Sequence, residues 1–345
     1  MLIYTLFNNK GGVSKTTTTF HLGWKLVDKG HRVLLVDADP QCNLTQLILT
    51  PRIKDAEAEN IVEYLEGRNV YDALDPAYNS RPKELEAVEC VEVDGRPGLF
   101  LLPGSTRLAE YETALGIAQQ LSETLNPMRN VPGAFRHLIT ITARKYNIDY
   151  VLIDVSPSLG SLNQNITTSS DRLIIPLNPD VFSVQAIASL SRILPAWVGW
   201  ADKASNIQSL MDADYPFVKS DLKFCGTIIQ RYRQRKGEPT AAFRKYFEQL
   251  RDAVTGTLRP ALSKSQLLFS AETYLKQGMG DDCTLAEIPD FNTLIASSQD
   301  VGKPVFALSA KDTGKTGVVF ENQQLTVHNI DEMYSALADK IVGLS

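Results

Sequence analysis

Residues 8–17 form a segment rich in glycine and lysine that has the chemistry of a phosphate-binding loop. Gly11 and Gly12 would let backbone N–H groups curl around an anion, and the helix expected to follow would add the partial positive charge of its N-terminus. Lys15 could reach the terminal phosphates of a nucleotide, and the Thr16 hydroxyl could bind Mg²⁺. The segment therefore predicts a nucleotide site. Its other loop residues are Lys10, Val13, Ser14 and Thr17.

Carboxylates stand at the ends of two aliphatic runs farther along the chain. Asp37, Asp39 and Asn43 follow the first run, and Asp154 ends the second. Phosphoryl transfer requires an oriented water and a shielded metal ion, and side chains of this kind can supply both. Taken alone, the first group could be an Asp-Pro turn and Asp154 a plain cap at a strand end. Together with the loop, they predict a Mg²⁺-dependent site.

Short aliphatic runs alternate with segments of helical period, which is typical of an α/β fold with an open, mostly parallel, twisted sheet and helices on both faces. Loops that follow the strands of such a sheet share one edge, where ligands bind. We predict strands at residues 2–8, 32–37, 98–102, 150–155, 172–177 and 223–230, with a short one at 305–308. Helices are predicted at 15–29, 183–194, 240–254 and 331–342.

We expect residues 1–345 to form a single domain. Residues 51–97 and 199–222 are rich in charge and turn formers and contain no predicted strand, so we expect them to be surface elaborations. The apolar opening at residues 2–7 is too short for a secretory signal, and no stretch approaches the roughly 20 apolar residues that span a bilayer. We therefore expect a cytoplasmic protein.

The composition excludes several other classes of protein. A hydrophobic fraction of 43% and a charged fraction of 22% are those of a globular chain rather than a disordered one. The net charge of −5 means that any contact with nucleic acid must come from a local patch. The four cysteines lack the spacing of a zinc or iron–sulfur site. They are Cys42, Cys90, Cys225 and Cys283.

The segment Lys10–Thr17, KGGVSKTT, resembles the deviant Walker A box of the ParA/MinD family of ATPases. It departs from the general P-loop pattern because Asn9 and Ser14 stand where that pattern has glycines. The resemblance implies a P-loop NTPase with ATP and Mg²⁺ as cofactors, in which Lys10 reaches the phosphates of a partner subunit. Lys10, Lys15 and Asp39 would then be the catalytic residues.

The resemblance also assigns roles to the residues at the strand ends. Asp39 would position or activate the attacking water, and Asp37 and Asp154 would support Mg²⁺ together with Thr16. Asn43 would belong to the first switch segment. Pro157 would belong to the second, where the family usually has two prolines and this chain has one. Candidate adenine contacts are Gln230, Pro289 and Phe291, although ordinary packing explains the last two equally well.

Family members form an ATP-bridged homodimer, and hydrolysis dissolves it. We therefore expect a switch that partitions plasmid or chromosomal DNA or positions cargo, through non-specific DNA binding and a ParB-like stimulating partner, near the nucleoid. The candidate DNA patch is Arg231, Arg233, Arg235 and Lys236, which could equally be a solvated loop or a loop occupied with the nucleotide. The last helix is acidic, which argues against membrane binding.

Two other functions stay open at this stage. The chain could be a ParA-like regulatory subunit of a defence or signalling complex that acts through protein partners without DNA. It could also be a metabolic enzyme of the same fold that uses ATP to drive chemistry on a small molecule. The second lysine of the loop, Lys10, and the absence of cysteine pairs argue against the metabolic enzyme.

Overall fold

The computed structural model describes residues 1–55, 64–121, 128–235, 238–315 and 317–345. Its centre is an eight-stranded sheet in the order β10-β7-β6-β1-β5-β2-β4-β3. All neighbouring strands are parallel except β3, which runs antiparallel to β4 at one edge. The predicted α/β class is therefore confirmed. The strands of this sheet are β1 (Leu2–Leu6), β2 (Val33–Ala38), β3 (Val91–Glu92), β4 (Leu99–Leu102), β5 (Tyr150–Val155), β6 (Arg172–Leu177), β7 (Lys223–Tyr232) and β10 (Thr284–Pro289).

Helices cover both faces of the sheet, and a small ribbon of two two-residue strands, β8 (Gln234–Arg235) and β9 (Glu238–Pro239), follows β7. A π-helical turn at Val254–Leu258 joins α9 to α10. The helices described are α1 (Lys15–Asp28), α2 (Asn43–Asp55), α3 (Val70–Tyr78), α4 (Glu110–Leu121), α5 (Val131–Lys145), α6 (Ser161–Ser169), α7 (Val181–Ala204), α8 (Gln208–Met211), α9 (Ala241–Ala253), α10 (Arg259–Lys264), α11 (Ala271–Lys276), α12 (Leu294–Val301), α13 (Ala310–Thr313) and α14 (Gly317–Gly343).

The central strands β1, β2 and β5 are buried almost throughout, which is why they read as continuous aliphatic runs in the sequence. Their register brings the candidate site together. Strand β5 lies between β1 and β2, and Asp154 is paired with Leu6 on one side and with Asp37 on the other. The loops after these three strands therefore emerge at one edge of the sheet.

The strands of the sheet differ from the prediction in three places. Residues 305–308 begin with a 3₁₀ turn at Val305–Ala307 instead of a strand, because the Val305 N–H donates to a histidine side chain and is not available to a sheet. The eighth strand of the sheet, β10, was not predicted. This edge strand is only partly buried, so its sequence is not a continuous aliphatic run. Residues 51–97 also contain a strand, β3, where none was expected.

The main apolar core is built from both ends of the chain and includes residues from α3 and from 85–93. Two helices are much longer than predicted, since α7 runs on past Pro195 and α14 begins at Gly317. By length and apolar composition α7 could cross a bilayer, contrary to the expectation that no stretch approaches that length. Its residues Ile187, Leu190 and Leu194 are buried in the core, as in a core helix of a globular protein.

Candidate functional site

The loop between β1 and α1 has the backbone shape of an anion cradle. Gly12 has a φ of 71° and Ser14, which directly precedes α1, has a φ of 57°, so the chain turns through left-handed conformations before the helix begins. Asn8 fastens the loop to the sheet, because its Nδ2 donates to the Pro176 carbonyl at 2.7 Å and its Oδ1 accepts from the Lys10 N–H at 2.9 Å. Turns of this kind aim successive N–H groups at a bound anion.

Lys15 is buried inside this loop, and its Nζ donates to the Asn8 carbonyl at 3.3 Å. Burial lowers the pKa of the Lys15 ammonium, and the carboxylates of Asp154 and Asp39 oppose that effect. Among the described residues its hydrogen-bond partner is a neutral carbonyl, so a phosphate at this position would be strongly attracted to the buried ammonium. The geometry agrees with the expected role of Lys15.

Thr16 and Asp154 form the candidate metal pair. The Thr16 hydroxyl donates to Asp154 Oδ2 at 2.6 Å, while Asp154 Oδ1 is buried without a hydrogen-bond partner among the described residues. Burial raises the pKa of Asp154 to about 8, with a further contribution from the nearby Asp37 carboxylate. A buried oxygen that lacks a donor, beside a hydroxyl, fits the oxygen chemistry that Mg²⁺ prefers.

Asp37 holds the start of α2 in place. Its Oδ2 accepts from the Thr45 N–H at 2.8 Å and from the Thr45 hydroxyl at 2.7 Å, and the same hydroxyl accepts from the Gly104 N–H at 2.9 Å. Residue 104 must be small, because a Cβ there would lie 3.0 Å from the Asp37 carboxyl carbon. Desolvation raises the pKa of Asp37 to about 6. Asp37 thus connects the metal side of the site to the helix that carries Asn43.

A cavity of about 590 Å³ joins the phosphate loop to the ends of β7 and β10. Asp39 and Asn43 line it near the loop, and Asp39 Oδ1 accepts from the Gln41 N–H at 2.9 Å. The structure therefore brings together most of the residues predicted to bind nucleotide. They are Gly12, Val13, Ser14, Lys15, Thr16, Thr17, Gln230, Pro289 and Phe291.

Of the three candidate base contacts, Gln230 has a second task. Its Nε2 donates to the Val13 carbonyl at 2.7 Å and its Oε1 accepts from the Thr18 hydroxyl at 3.0 Å, so its amide supports the phosphate loop. Pro289 and Phe291 also line the cavity. A contact of any of the three with adenine stays a prediction.

His21 also lines this cavity, and the sequence analysis did not identify it. Its ring stacks on Phe291 with centroids 5.3 Å apart, Nδ1 lies 2.8 Å from the Thr17 carbonyl, and Nε2 accepts from the Val305 N–H at 2.9 Å. Burial lowers the pKa of His21 to about 3, so the ring is neutral. The available signal was its position four residues after Thr17, on the same face of α1.

Lys10 is a residue of the phosphate loop that does not line the cavity. Its ammonium forms an ion pair with Asp180 and lies 3.3 Å from Ser183 Oγ. Asp180 is the N-cap of α7, where Oδ1 accepts from the Ser183 N–H at 2.9 Å. Although burial opposes it, these hydrogen bonds hold the pKa of Asp180 below its usual range. Beside this pair Phe182 leaves 63% of its surface exposed.

The remaining predicted residues surround the loop or lie beyond it. Pro157 is exposed and close to Gly11, where a Cβ would lie 3.8 Å from its Cγ. Within the candidate DNA patch, Arg231 donates from Nη1 to the Gly12 carbonyl at 2.8 Å and Arg233 is exposed. Arg235 ends β8, and Lys236 lies outside the described residues.

Comparisons with known proteins place the chain in a family. A family model described as an AAA domain matches residues 1–197. The chromosome partitioning protein ParA of Caulobacter vibrioides is 30% identical over 209 residues, which are 61% of this chain and 68% of that protein.

Solved structures share the fold. Apo McdA from Cyanthece has a TM-score of 0.60 at 16% identity, with 99% of both chains covered. MinD from Pyrococcus horikoshii, solved with Mg-ADP, has a TM-score of 0.51 at 16% identity over 99% of this chain and 95% of that one. The family match, the ParA relative and the geometry of the loop agree with the resemblance seen in the sequence, and the chain belongs to the ParA/MinD family of ATPases.

Proposed function

We propose that this protein hydrolyses Mg-ATP and uses the bound nucleotide to join two copies of itself, as a switch that partitions DNA or positions cargo. The observation that carries the proposal is the difference between the environments of its two loop lysines. Lys15 is buried within the cradle, whereas the Lys10 ammonium is partly exposed and paired with Asp180. A lysine in that position is suited to a phosphate that belongs to a second copy.

In this mechanism the P-loop N–H groups and Lys15 bind the β- and γ-phosphates. Thr16 and Asp154 would hold Mg²⁺, with Asp37 beside them, and the ion would neutralise charge that develops on the phosphates. Asp39 orients the water that attacks the γ-phosphorus. The bond from that phosphorus to the ADP oxygen breaks, which removes the anion that Lys10 of the other copy holds.

The switch acts through α2 and the loop that follows β5. Asp37 accepts two hydrogen bonds from Thr45 of α2. A change in charge at the Mg²⁺ site would therefore alter the position of this helix, which begins at Asn43. Pro157 lies against Gly11, so the second loop is in a position to respond to the phosphates. Both segments would change when the γ-phosphate leaves.

Non-specific DNA binding and a ParB-like stimulating partner belong to the same proposal, with a cytoplasmic, nucleoid-associated location. The support is that the ParA relative is a chromosome partitioning protein and that Arg233 is exposed near the end of β7. We also propose a single domain over residues 1–345. A regulatory subunit that dimerises without DNA is the second candidate, since Arg231 of the candidate DNA patch is bound to the Gly12 carbonyl of the phosphate loop.

The experiment compares dimerisation and DNA retention without nucleotide, with ADP and with ATP. The wild-type chain should form a dimer only with Mg-ATP, and that dimer should retain DNA in a salt-sensitive manner. Lys10→Ala should abolish the dimer, and Asp39→Ala should bind ATP and prolong it. A chain that stays monomeric with ATP would contradict the proposal, whereas a dimer that ignores DNA would select the regulatory subunit.

A further inference from the structure

The loop of residues 156–160, which joins β5 to α6, is exposed at its middle and fixed at its end. It begins two residues after Asp154, and Asn163 of α6 donates from Nδ2 to the Ser156 carbonyl at 2.8 Å and to the Ser158 carbonyl at 2.7 Å. These bonds fold the loop back onto the first turn of the helix. The conformation of the loop therefore depends on where α6 begins.

Helix α6 receives its N-terminal cap from another helix. The residue that precedes it is Gly160, which has no side chain to accept from the free N–H groups of the first turn. Glu112 of α4 takes this part, because its Oε2 accepts from the Leu162 N–H at 3.2 Å. A carboxylate at a helix N-terminus acts both as an acceptor and as a favourable charge.

Close packing of α4 on the start of α6 places the Glu112 carboxylate directly against the end of the loop. The φ of Gly160 is −78°, which any residue can adopt, but a Cβ there would overlap this carboxylate. Farther along α4, Gly116 allows a similar approach to Ser161, whose carbonyl accepts from Gln119 Nε2 at 3.2 Å. Residue 160 is thus a glycine because Glu112 occupies the adjacent space.

Contacts outside the nucleotide site hold α4 itself. Tyr111 is stacked between Tyr71 and Tyr78 of α3, with ring centroids 4.4 and 4.0 Å apart. At the other end of the helix, Trp200 Nε1 donates to the Gln119 carbonyl at 3.2 Å. Both surface elaborations that the sequence predicts therefore contact the helix that carries Glu112, and they give it a support that does not depend on the nucleotide.

We propose that Glu112 is a positioning residue for ATP hydrolysis, which caps α6 from α4 and thereby fixes the loop of residues 156–160 between Asp154 and the phosphate loop. This inference rests on the proposed function, because it presumes that the chain hydrolyses ATP. Pro157 of this loop lies near Gly11, whereas Glu112 does not line the cavity. Loss of Glu112 should therefore slow hydrolysis and leave nucleotide binding unchanged.

The test compares the rate of phosphate release at saturating Mg-ATP and saturating protein with the affinity for ADP, measured by isothermal titration calorimetry. Glu112→Ala should lower kcat about tenfold and change the ADP affinity by less than about twofold. Glu112→Gln keeps an oxygen that can accept from the Leu162 N–H, so it should restore most of the rate.

A second substitution removes the same contact from the other side. In Gly160→Ala the added Cβ would displace the Glu112 carboxylate, so this variant should lose as much rate as Glu112→Ala. The double variant should lose no more than either single one, because both changes break one interaction. The matched control is Glu110→Ala, which removes the other carboxylate of the first turn of α4, bonded to the Tyr71 hydroxyl at 2.7 Å, and should keep the wild-type rate.

The outcomes separate this inference from the proposed function. A wild-type chain that hydrolyses ATP no faster than Glu112→Ala would overturn the inference alone. Equal losses of ADP affinity and of kcat would also overturn it, because Glu112 would then support the folded site as a whole. So would losses that multiply in the double variant. A wild-type chain that hydrolyses no ATP would overturn the proposed function together with it.

Discussion

The ammonium of Lys10 is paired with the carboxylate of Asp180, the residue that caps α7 in the same chain. In the proposed dimer Lys10 must leave this carboxylate to reach a phosphate on the other copy. The pair is partly exposed, so its strength is of the order of a surface ion pair, ~0–1 kcal/mol. It therefore stabilises each monomer slightly and opposes dimerisation by that amount in each of the two copies.

Asp180→Asn should lower the protein concentration needed for the ATP-bridged dimer by up to about 30-fold, because the charge that holds Lys10 is gone in both copies. Asparagine still accepts the hydrogen bond from the Ser183 N–H, so the helix cap is kept. Sedimentation with a non-hydrolysable ATP analogue measures the effect. A variant that needs as much protein as the wild type, or more, would show that the pair does not restrain Lys10.

Asp154→Asn should separate catalysis from stability. The pKa of Asp154 in the folded chain is about 8, above the ordinary 3.8. Ionising Asp154 therefore destabilises the folded wild type, and this destabilisation grows as pH rises from about 4 to 8. The variant lacks this carboxyl group, so its stability relative to the wild type should increase with pH, to ~1 kcal/mol or more at pH 8. Its Mg²⁺-dependent hydrolysis should fall about 100-fold or more.

Urea unfolding at pH 5 and pH 8 measures the stability of Asp154→Asn, and phosphate release measures its rate of hydrolysis. The matched control is Asp221→Asn, whose carboxylate is 86% exposed and should change stability by less than about 0.5 kcal/mol. A stability difference from wild type that is the same at both pH values would contradict the assigned protonation of Asp154.

His21 should make the fold sensitive to acid. The unfolded chain protonates this histidine near pH 6.5 and the folded chain only near pH 3, so the stability it supports is complete above pH 6.5 and falls with pH below it. The loss is up to about 1.4 kcal/mol per pH unit, or about 2 kcal/mol between pH 6.5 and 5. His21→Gln should remove this part of the pH dependence, as measured by urea unfolding, and parallel curves for the two proteins would contradict it.

Thr45→Val should destabilise the fold by ~1–3 kcal/mol, because it leaves Asp37 and the Gly104 N–H without the hydroxyl between them. Thr50 is a suitable control on the same helix, since its hydroxyl is bonded to the Gln46 carbonyl at an exposed site. Thermal unfolding of both valine variants should show the loss only for Thr45. An equal effect of the two substitutions would mean that helix propensity explains it.

The phosphate loop and the strand-end carboxylates could be predicted because their chemistry is local. Gly12 and Lys15 are adjacent in sequence to the helix they precede, and parallel strands bring Asp37 and Asp154 to one edge wherever such strands pair. The partners of these residues could not be predicted. Asp180, Thr45 and His21 contact Lys10, Gly104 and Val305, and only the packing of segments distant in sequence creates these contacts.

The errors in the predicted sheet have the same origin. Val305 has a strand-forming side chain, but its N–H donates a hydrogen bond to His21, which lies 284 positions away in the sequence. The edge strand β10 has a sequence of mixed polarity and takes its structure from β7, where the bulge at Arg231 adjusts the register. The sequence identified Arg231 as a cation but could not show which way its side chain points.

The central claim is that Lys10 from one copy holds the phosphates bound by another, and a crystal structure of the Asp39→Ala variant with Mg-ATP tests it most directly. The account predicts two copies facing each other, with each Lys10 Nζ released from its own Asp180 and within hydrogen-bonding distance of a phosphate oxygen bound by the other copy. A structure with ATP in the loop and Lys10 still on Asp180, or on its own nucleotide, would contradict it.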